Sequence, residues 1–80
     1  MAIEVVVTQD CYILGVGVRN YLPKGTVLTS TSMNGFLEYE IREVVDAQEV
    51  EGYRLMAIGE IVHFSSPETA RVFIEKRKRC

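Results

Sequence analysis

The 80-residue chain is long enough for one small domain, and 48% of its residues are hydrophobic. A domain of this size buries only about 60% of the surface that its unfolded chain exposes, so some apolar side chains must stay at the surface. We therefore expect a single domain over residues 1–80 that forms a homo-oligomer or binds another protein.

Cysteine use and hydropathy exclude several other classes of protein. The two cysteines, Cys11 and Cys80, are too few for the disulfide framework of a small secreted domain. The start of the chain has no basic segment of the kind found in secretion signals, and the apolar stretch from Cys11 to Val18 is far too short to span a bilayer. We expect a soluble, cytoplasmic protein with no membrane partner.

The first half of the chain reads as short strands separated by turns. Residues 3–8 are rich in β-branched side chains and predict a strand inside a sheet. A second strand is expected over residues 11–14, and the glycines at 15 and 17 then indicate a bulge, a sharp bend or the close approach of another backbone. A turn at residues 22–25, with Pro23 and Gly25, leads into a strand over residues 26–29.

The second half continues this strand pattern. The dipeptide Asn34-Gly35 is favoured in two-residue hairpin turns. It precedes a strand from Phe36 to about Val45 in which hydrophobic residues alternate with charged ones. Gly52 marks a further turn. Residues 53–58 and 61–64, separated by Gly59-Glu60, form either two strands or one bulged strand.

A single helix is predicted near the C-terminus. Ser65 can cap its start together with Glu68, and Pro67 suits the first turn. The helix is expected to run for about three turns and to dock on the sheet through Ala70, Phe73 and Ile74. The predicted fold is therefore α+β: a small antiparallel sheet or partly open barrel of four to six strands with one C-terminal helix.

Few residues offer chemistry. His63 is the sole histidine, lies between Val62 and Phe64 in an apparent strand, and is expected to point away from both toward a polar or edge face. One histidine and two distant cysteines give no zinc spacing, and no nucleophile with a neighbouring base is visible. We predict a protein that is not an enzyme, with no catalytic residue, no metal ligand and no cofactor.

Charge divides the chain into an acidic body and a basic tail. Residues 1–70 carry ten acidic and four basic residues, a net of −6, whereas residues 71–80 carry five basic and one acidic residue, a net of +4. Within the body, Glu38, Glu40 and Glu43 are candidates for a face that meets a basic partner or imitates nucleic-acid phosphates. The alternative is a solvated strand protected against edge pairing.

The basic tail supports two interpretations as well. It could bind nucleic-acid phosphates through the residues Lys76, Arg77, Lys78 and Arg79. It could also do no more than complement the dipole at the end of the helix and keep that end soluble.

Two segments, residues 21–28 and 59–74, resemble parts of small bacteriophage and prophage proteins of the particle-assembly genes. In those proteins a turn with glycine leads into a short apolar strand, and a capped helix often ends the chain. The glycine usual after that helix is replaced here by residues 76–80. The resemblance implies a structural or accessory protein of a virus, located in the host cytoplasm or the virion, and it assigns no site residues.

The leading hypothesis from the sequence is thus a non-enzymatic protein-interaction or assembly module that binds itself or another protein. The alternatives are a nucleic-acid-binding accessory protein that uses the basic tail, and an inhibitor that presents its acidic face to a basic partner.

Overall fold

The computed structural model of the protein describes residues 3–15, 17–31, 37–45, 47–48 and 50–77, and these form the predicted α+β fold. One helix, α1 (Pro67–Phe73), lies between the last two strands. The eight strands, of which five have four or more residues, are β1 (Glu4–Val7), β2 (Cys11–Gly15), β3 (Val18–Leu22), β4 (Val27–Ser30), β5 (Glu38–Glu43), β6 (Arg54–Leu55), β7 (Ile61–His63) and β8 (Ile74–Lys76).

The strands form two open sheets. The larger is antiparallel throughout, with the order β7-β5-β4-β1-β8, and the smaller has the order β2-β3-β6. In the smaller sheet β2 and β3 form an antiparallel hairpin, whereas β3 and β6 run parallel. Strand β1 lies inside the larger sheet, as predicted for its β-branched sequence. Strands β7 and β8 are the two edges of that sheet.

One hydrophobic core holds the two sheets and the helix together. The face of the larger sheet that lines this core is called the inner face here, and the opposite one the outer face. The smaller sheet contributes Cys11, which is buried, and Leu22. The helix contributes Ala70. The buried side chains of the inner face are Val5, Val7, Leu28, Tyr39, Ile41, Val62 and Ile74.

The predicted turn before β4 is present and depends on glycine. Gly25 has φ +94°, and a Cβ added there would lie 3.1 Å from Cγ1 of Val45. Its N–H donates to the carbonyl of Val7 at 2.8 Å, which ties the turn to β1. Of the interpretations for the glycines at 15 and 17, the sharp bend is correct: Gly17, with φ +72°, lies between the paired strands β2 and β3.

The strand predicted from alternation is β5, in which Tyr39 and Ile41 are buried on the inner face. The Asn34-Gly35 turn lies outside the described residues. Residues 53–64 contain two separate strands rather than one bulged strand, because β6 belongs to the smaller sheet and β7 to the larger. A turn with Gly59 separates them.

Two predictions for the helix were wrong. The N-cap is Ser66 instead of Ser65, because the side chain of Ser66 accepts the N–H of Thr69 at 3.1 Å. The helix also ends at Phe73, after two turns rather than three. Ile74 and the two residues after it pair with β1, whose edge would otherwise be uncovered, and sheet pairing there outweighs the helical periodicity of the sequence.

Candidate functional site

The three acidic residues singled out in the sequence lie together on the outer face. Strand pairing places Glu40 opposite Thr29 and Glu43 opposite Val27, and Glu38 lies two residues before Glu40 on the same side of β5. A register shift between Val27 and Leu28 leaves Arg42 as the extra residue. The structure thus confirms their shared face, although what that face binds stays a prediction.

Each of these carboxylates already has a partner within the chain. Glu38 accepts a hydrogen bond from the hydroxyl of Thr31 at 2.8 Å. Glu40 forms an ion pair with Arg42 at 3.3 Å, and Glu43 forms one with Arg77 at 3.1 Å. An incoming basic partner would therefore have to replace contacts that exist, which lowers the net gain from binding at this face.

The basic tail and the acidic face meet at Arg77. Its guanidinium lies 3.1 Å from Glu4 and 3.1 Å from Glu43, and its N–H donates to the Glu4 carbonyl. The charge of Glu4, followed by hydrogen bonds to Glu4 and Glu43, raises the pKa of Arg77. Lys76 is exposed and has no ion pair with a described residue, while Lys78 and Arg79 lie outside the described residues. Because α1 ends at Phe73 and β8 follows it, Lys76 and Arg77 lie beyond the last helical turn and outside the reach of the helix dipole.

Another ion pair, not foreseen from the sequence, holds the connection between β6 and β7. Both guanidinium nitrogens of Arg54 contact the carboxylate of Glu60, which also accepts the N–H of Ala57. The hydrogen bonds from Arg54, and then that from Ala57, lower the pKa of Glu60. The side chains lie six residues apart across a turn, a spacing that carries no periodic signal. This pair fixes the turn between β6 and β7.

A groove of about 500 Å³ opens between α1 and the inner face. Its floor is apolar and comes from the buried side chains of Val5 and Tyr39. The exposed cations Arg71 and Lys76 lie on its rim, and neither has an ion pair with a described residue. The complete lining consists of Val5, Tyr39, Pro67, Ala70, Arg71, Ile74, Glu75 and Lys76. All three residues of β8 belong to it, so the groove follows this edge of the sheet.

The β8 edge also presents backbone groups that bond to no described strand. The N–H of Arg77 donates to Glu4 and the N–H of Thr8 donates to Phe73, so every second residue of β8 is bonded to β1. By this alternation Glu75 points its N–H and C=O at Val6, whereas Lys76 points both of its groups away from the sheet. The carbonyl of Ile74 points the same way, while its N–H bonds to Ala70 in the helix. A further strand could pair with this edge.

The sequence does not reveal the groove because the residues that line it fit other patterns. Ile74 falls on the docking stripe of a longer predicted helix, and Lys76 falls in the predicted basic tail. The groove needs both a helix that ends at Phe73 and a strand that begins at Ile74. An abrupt change from helical to extended backbone inside an apolar-basic run leaves no separate signal in the sequence.

The other candidate groups are isolated. His63 is exposed at the edge strand β7 between two buried residues, as predicted, and the structure pairs it with Glu38. Burial raises the pKa of the Cys11 thiol. In the part of the chain that the structure describes, no three histidine, cysteine, aspartate or glutamate side chains cluster as metal ligands would.

No protein-family model, curated protein or solved structure matches this chain. The resemblance to phage particle-assembly proteins therefore stays a prediction. Within the described residues, no helix is long and apolar enough to cross a bilayer.

Proposed function

We propose that this protein is a non-enzymatic protein-interaction module whose binding surface is the groove along the open edge of β8. The observation that carries the proposal is the coincidence of three features at one place. An apolar floor and two cations without a described acidic partner line one groove of about 500 Å³, and backbone groups that bond to no described strand lie along the β8 edge beside it. Together they offer a partner hydrophobic burial, main-chain hydrogen bonds and electrostatic selection.

The size and lining of the groove fit this role. Pockets that bind small ligands or single side-chain clusters span roughly 300–1,000 Å³ and are mostly apolar with a few polar groups at their rim. An extended segment that pairs with β8 would place alternate side chains over the groove, because successive residues of a strand point to opposite faces. The edge would supply affinity and the groove would supply specificity.

The two alternatives suggested by charge have less support. Binding nucleic acid through Arg77 would require it to leave Glu4 and Glu43, and binding a basic partner through Glu43 would release Arg77. Both processes give up existing ion pairs, whereas a partner at the β8 edge displaces no described ion pair. The resemblance to phage proteins is the reason for placing the module in a viral structural or accessory role, where it would assemble with itself or with another protein.

The first experiment measures the native mass by size-exclusion chromatography with light scattering at moderate salt. A single closed oligomer that the variant Lys76→Pro disrupts would support the proposal, with the β8 edge serving self-assembly. A proline there removes the outward N–H without touching the hydrogen bonds to β1, and proline is tolerated on edge strands. Lys76→Gln is the matched control, because it removes the charge and keeps the N–H.

If the wild-type protein is a monomer, a library of random twelve-residue peptides linked to their mRNA is selected on the immobilised protein. The proposal expects peptides that bind the wild type and Lys76→Gln but not Lys76→Pro. A monomer that enriches no peptide would overturn it, as would an oligomer or a peptide that Lys76→Pro leaves unchanged.

A further inference from the structure

We infer that the occupant of the groove is an acidic, extended segment of another protein, which adds to β8 as a sixth antiparallel strand of the larger sheet. The inference rests on the proposed function and names the chemistry of its partner.

The rim of the groove is positively charged and uncompensated. Arg71 lies on α1 and Lys76 on β8, so two separate elements place a cation beside the same groove. Both are exposed, and neither forms an ion pair with a described residue. Glu75 also lines the groove, so its charged lining residues, the two cations against this one carboxylate, carry a net charge of +1. Such a field attracts carboxylates and repels basic segments.

The same charges disfavour a second copy of this chain as the occupant. Two β8 strands paired antiparallel would bring like-charged side chains of the two copies side by side. With Lys76 opposite Lys76 the two ammonium groups would face each other, and with Ile74 opposite Lys76 the two Glu75 side chains would do so. Like charges directly opposite one another destabilise a sheet.

The floor of the groove defines the rest of the segment. Val5 and Tyr39 are buried at the floor and Ala70 is buried on the helix side, so the groove offers an apolar surface to an aliphatic side chain. In an extended strand the residues on either side of that position along the same face are two positions away. The inferred ligand therefore has a central aliphatic residue with carboxylates two residues before and after it, and these carboxylates reach Arg71 and Lys76.

The test uses two fluorescein-labelled ten-residue peptides and measures their binding to the full chain by fluorescence anisotropy. One has a central leucine with glutamates two residues to each side, and the other has lysines at those positions. We expect the glutamate peptide to bind more tightly, with a difference that shrinks as salt rises because screening shortens the reach of the charges. The double variant Arg71→Glu, Lys76→Glu should reverse the preference.

The use of the strand edge is tested separately. Lys76→Pro should weaken the glutamate peptide by about tenfold, the loss expected for one backbone hydrogen bond, beyond the smaller loss in Lys76→Gln. A glutamate peptide whose leucine and neighbouring amides are N-methylated should bind as weakly to the wild type, which tests the same contact without altering the protein.

Several results would overturn the inference. Equal binding of the two charged peptides, or unchanged preference in the double variant, would exclude the rim as the selecting element. Full affinity for the N-methylated peptide would exclude strand addition. A wild-type dimer that Lys76→Pro dissociates would identify a second copy as the occupant. Neutral or basic peptides enriched in the random selection would defeat this inference and leave the proposed function standing, whereas no enrichment by a monomer would defeat both.

Discussion

On the outer face of the larger sheet, Arg77 contacts Glu4 and Glu43, whereas on the β8 edge Arg71 and Lys76 contact no described acidic group. The two regions adjoin, and Lys76 and Arg77 are consecutive residues. Successive side chains of a strand point to opposite faces of the sheet. The side chain of Arg77 therefore lies with Glu4 on the outer face, and that of Lys76 lies with Val5 on the inner face. Of these two consecutive residues, Arg77 has ion-pair partners and Lys76 has none among the described residues.

The difference shows why a cluster of charges in a sequence is a poor guide to a binding surface. The acidic residues of β5 and the basic residues after α1 are each conspicuous in the sequence, yet they meet in the fold and compensate one another. The uncompensated cations come from different elements and share a groove only because α1 ends where β8 begins.

Truncating an apolar side chain should lower the free energy of unfolding far more on the inner face than on the outer face. Ile41 is fully buried on the inner face, whereas Ile61, on the outer face at β7, is 48% exposed. Ile41→Ala should lower the free energy of unfolding by about 2–5 kcal/mol, since it leaves a cavity in the core. Ile61→Ala, the matched control, should change it by less than about 1 kcal/mol. Urea unfolding followed by circular dichroism measures both.

A loss of about 2–5 kcal/mol can exceed the total stability of a small domain. Ile41→Val, with an expected loss of about 0.5–1.5 kcal/mol, keeps the comparison measurable if Ile41→Ala does not fold. Similar losses for the alanine variants at positions 41 and 61 would contradict the assignment of an inner and an outer face.

Removing the N-cap of α1, the helix that lines one side of the groove, should give the next largest change in the free energy of unfolding. Ser66 caps α1 by accepting the N–H of Thr69, whereas Ser65, one residue earlier, is exposed and does not cap. Ser66→Ala should cost about 0.5–2 kcal/mol in the free energy of unfolding, and Ser65→Ala much less. Urea unfolding measures the pair. A larger loss at Ser65 would show that Ser65 is the N-cap, as the sequence suggests, and that α1 begins one residue earlier.

Much of the fold follows from local patterns in the sequence. β1 was predicted from its β-branched residues, β5 from its alternation, and the turn at Gly25 from its proline and glycine. These signals depend on neighbours in the sequence, and each gave the correct type of structure. His63 likewise follows strand alternation and points away from the core.

The site could not be predicted in the same way because its residues are brought together by tertiary pairing. The sequence around Ile74 suits a continuing helix, and only the uncovered edge of β1 makes an extended backbone more favourable there. The partner of Arg77 is likewise set by the sheet order, since Glu4 lies 73 residues away. Long-range pairing of this kind is not encoded in composition or spacing.

The smallest expected effect lies at Arg77. Arg77→Gln removes its ion pairs with Glu4 and Glu43, whereas Lys76→Gln removes a charge without a described ion pair. Arg77→Gln should lower the urea midpoint slightly at low salt, by less than Ser66→Ala does, because exposed ion pairs contribute little. Lys76→Gln should leave the midpoint nearly unchanged.

High salt distinguishes an effect of the Arg77 charge on stability from an effect of its packing. At about 1 M salt the screening length falls to about 3 Å, so the difference between Arg77→Gln and the wild type should narrow. In the background of Glu4→Gln and Glu43→Gln, the substitution at Arg77 should have no remaining effect, because its partners are already neutral. An effect that persists in both conditions would mean that Arg77 acts through its aliphatic stem. The ion pairs of Arg77 would then not account for the difference between the outer face and the β8 edge.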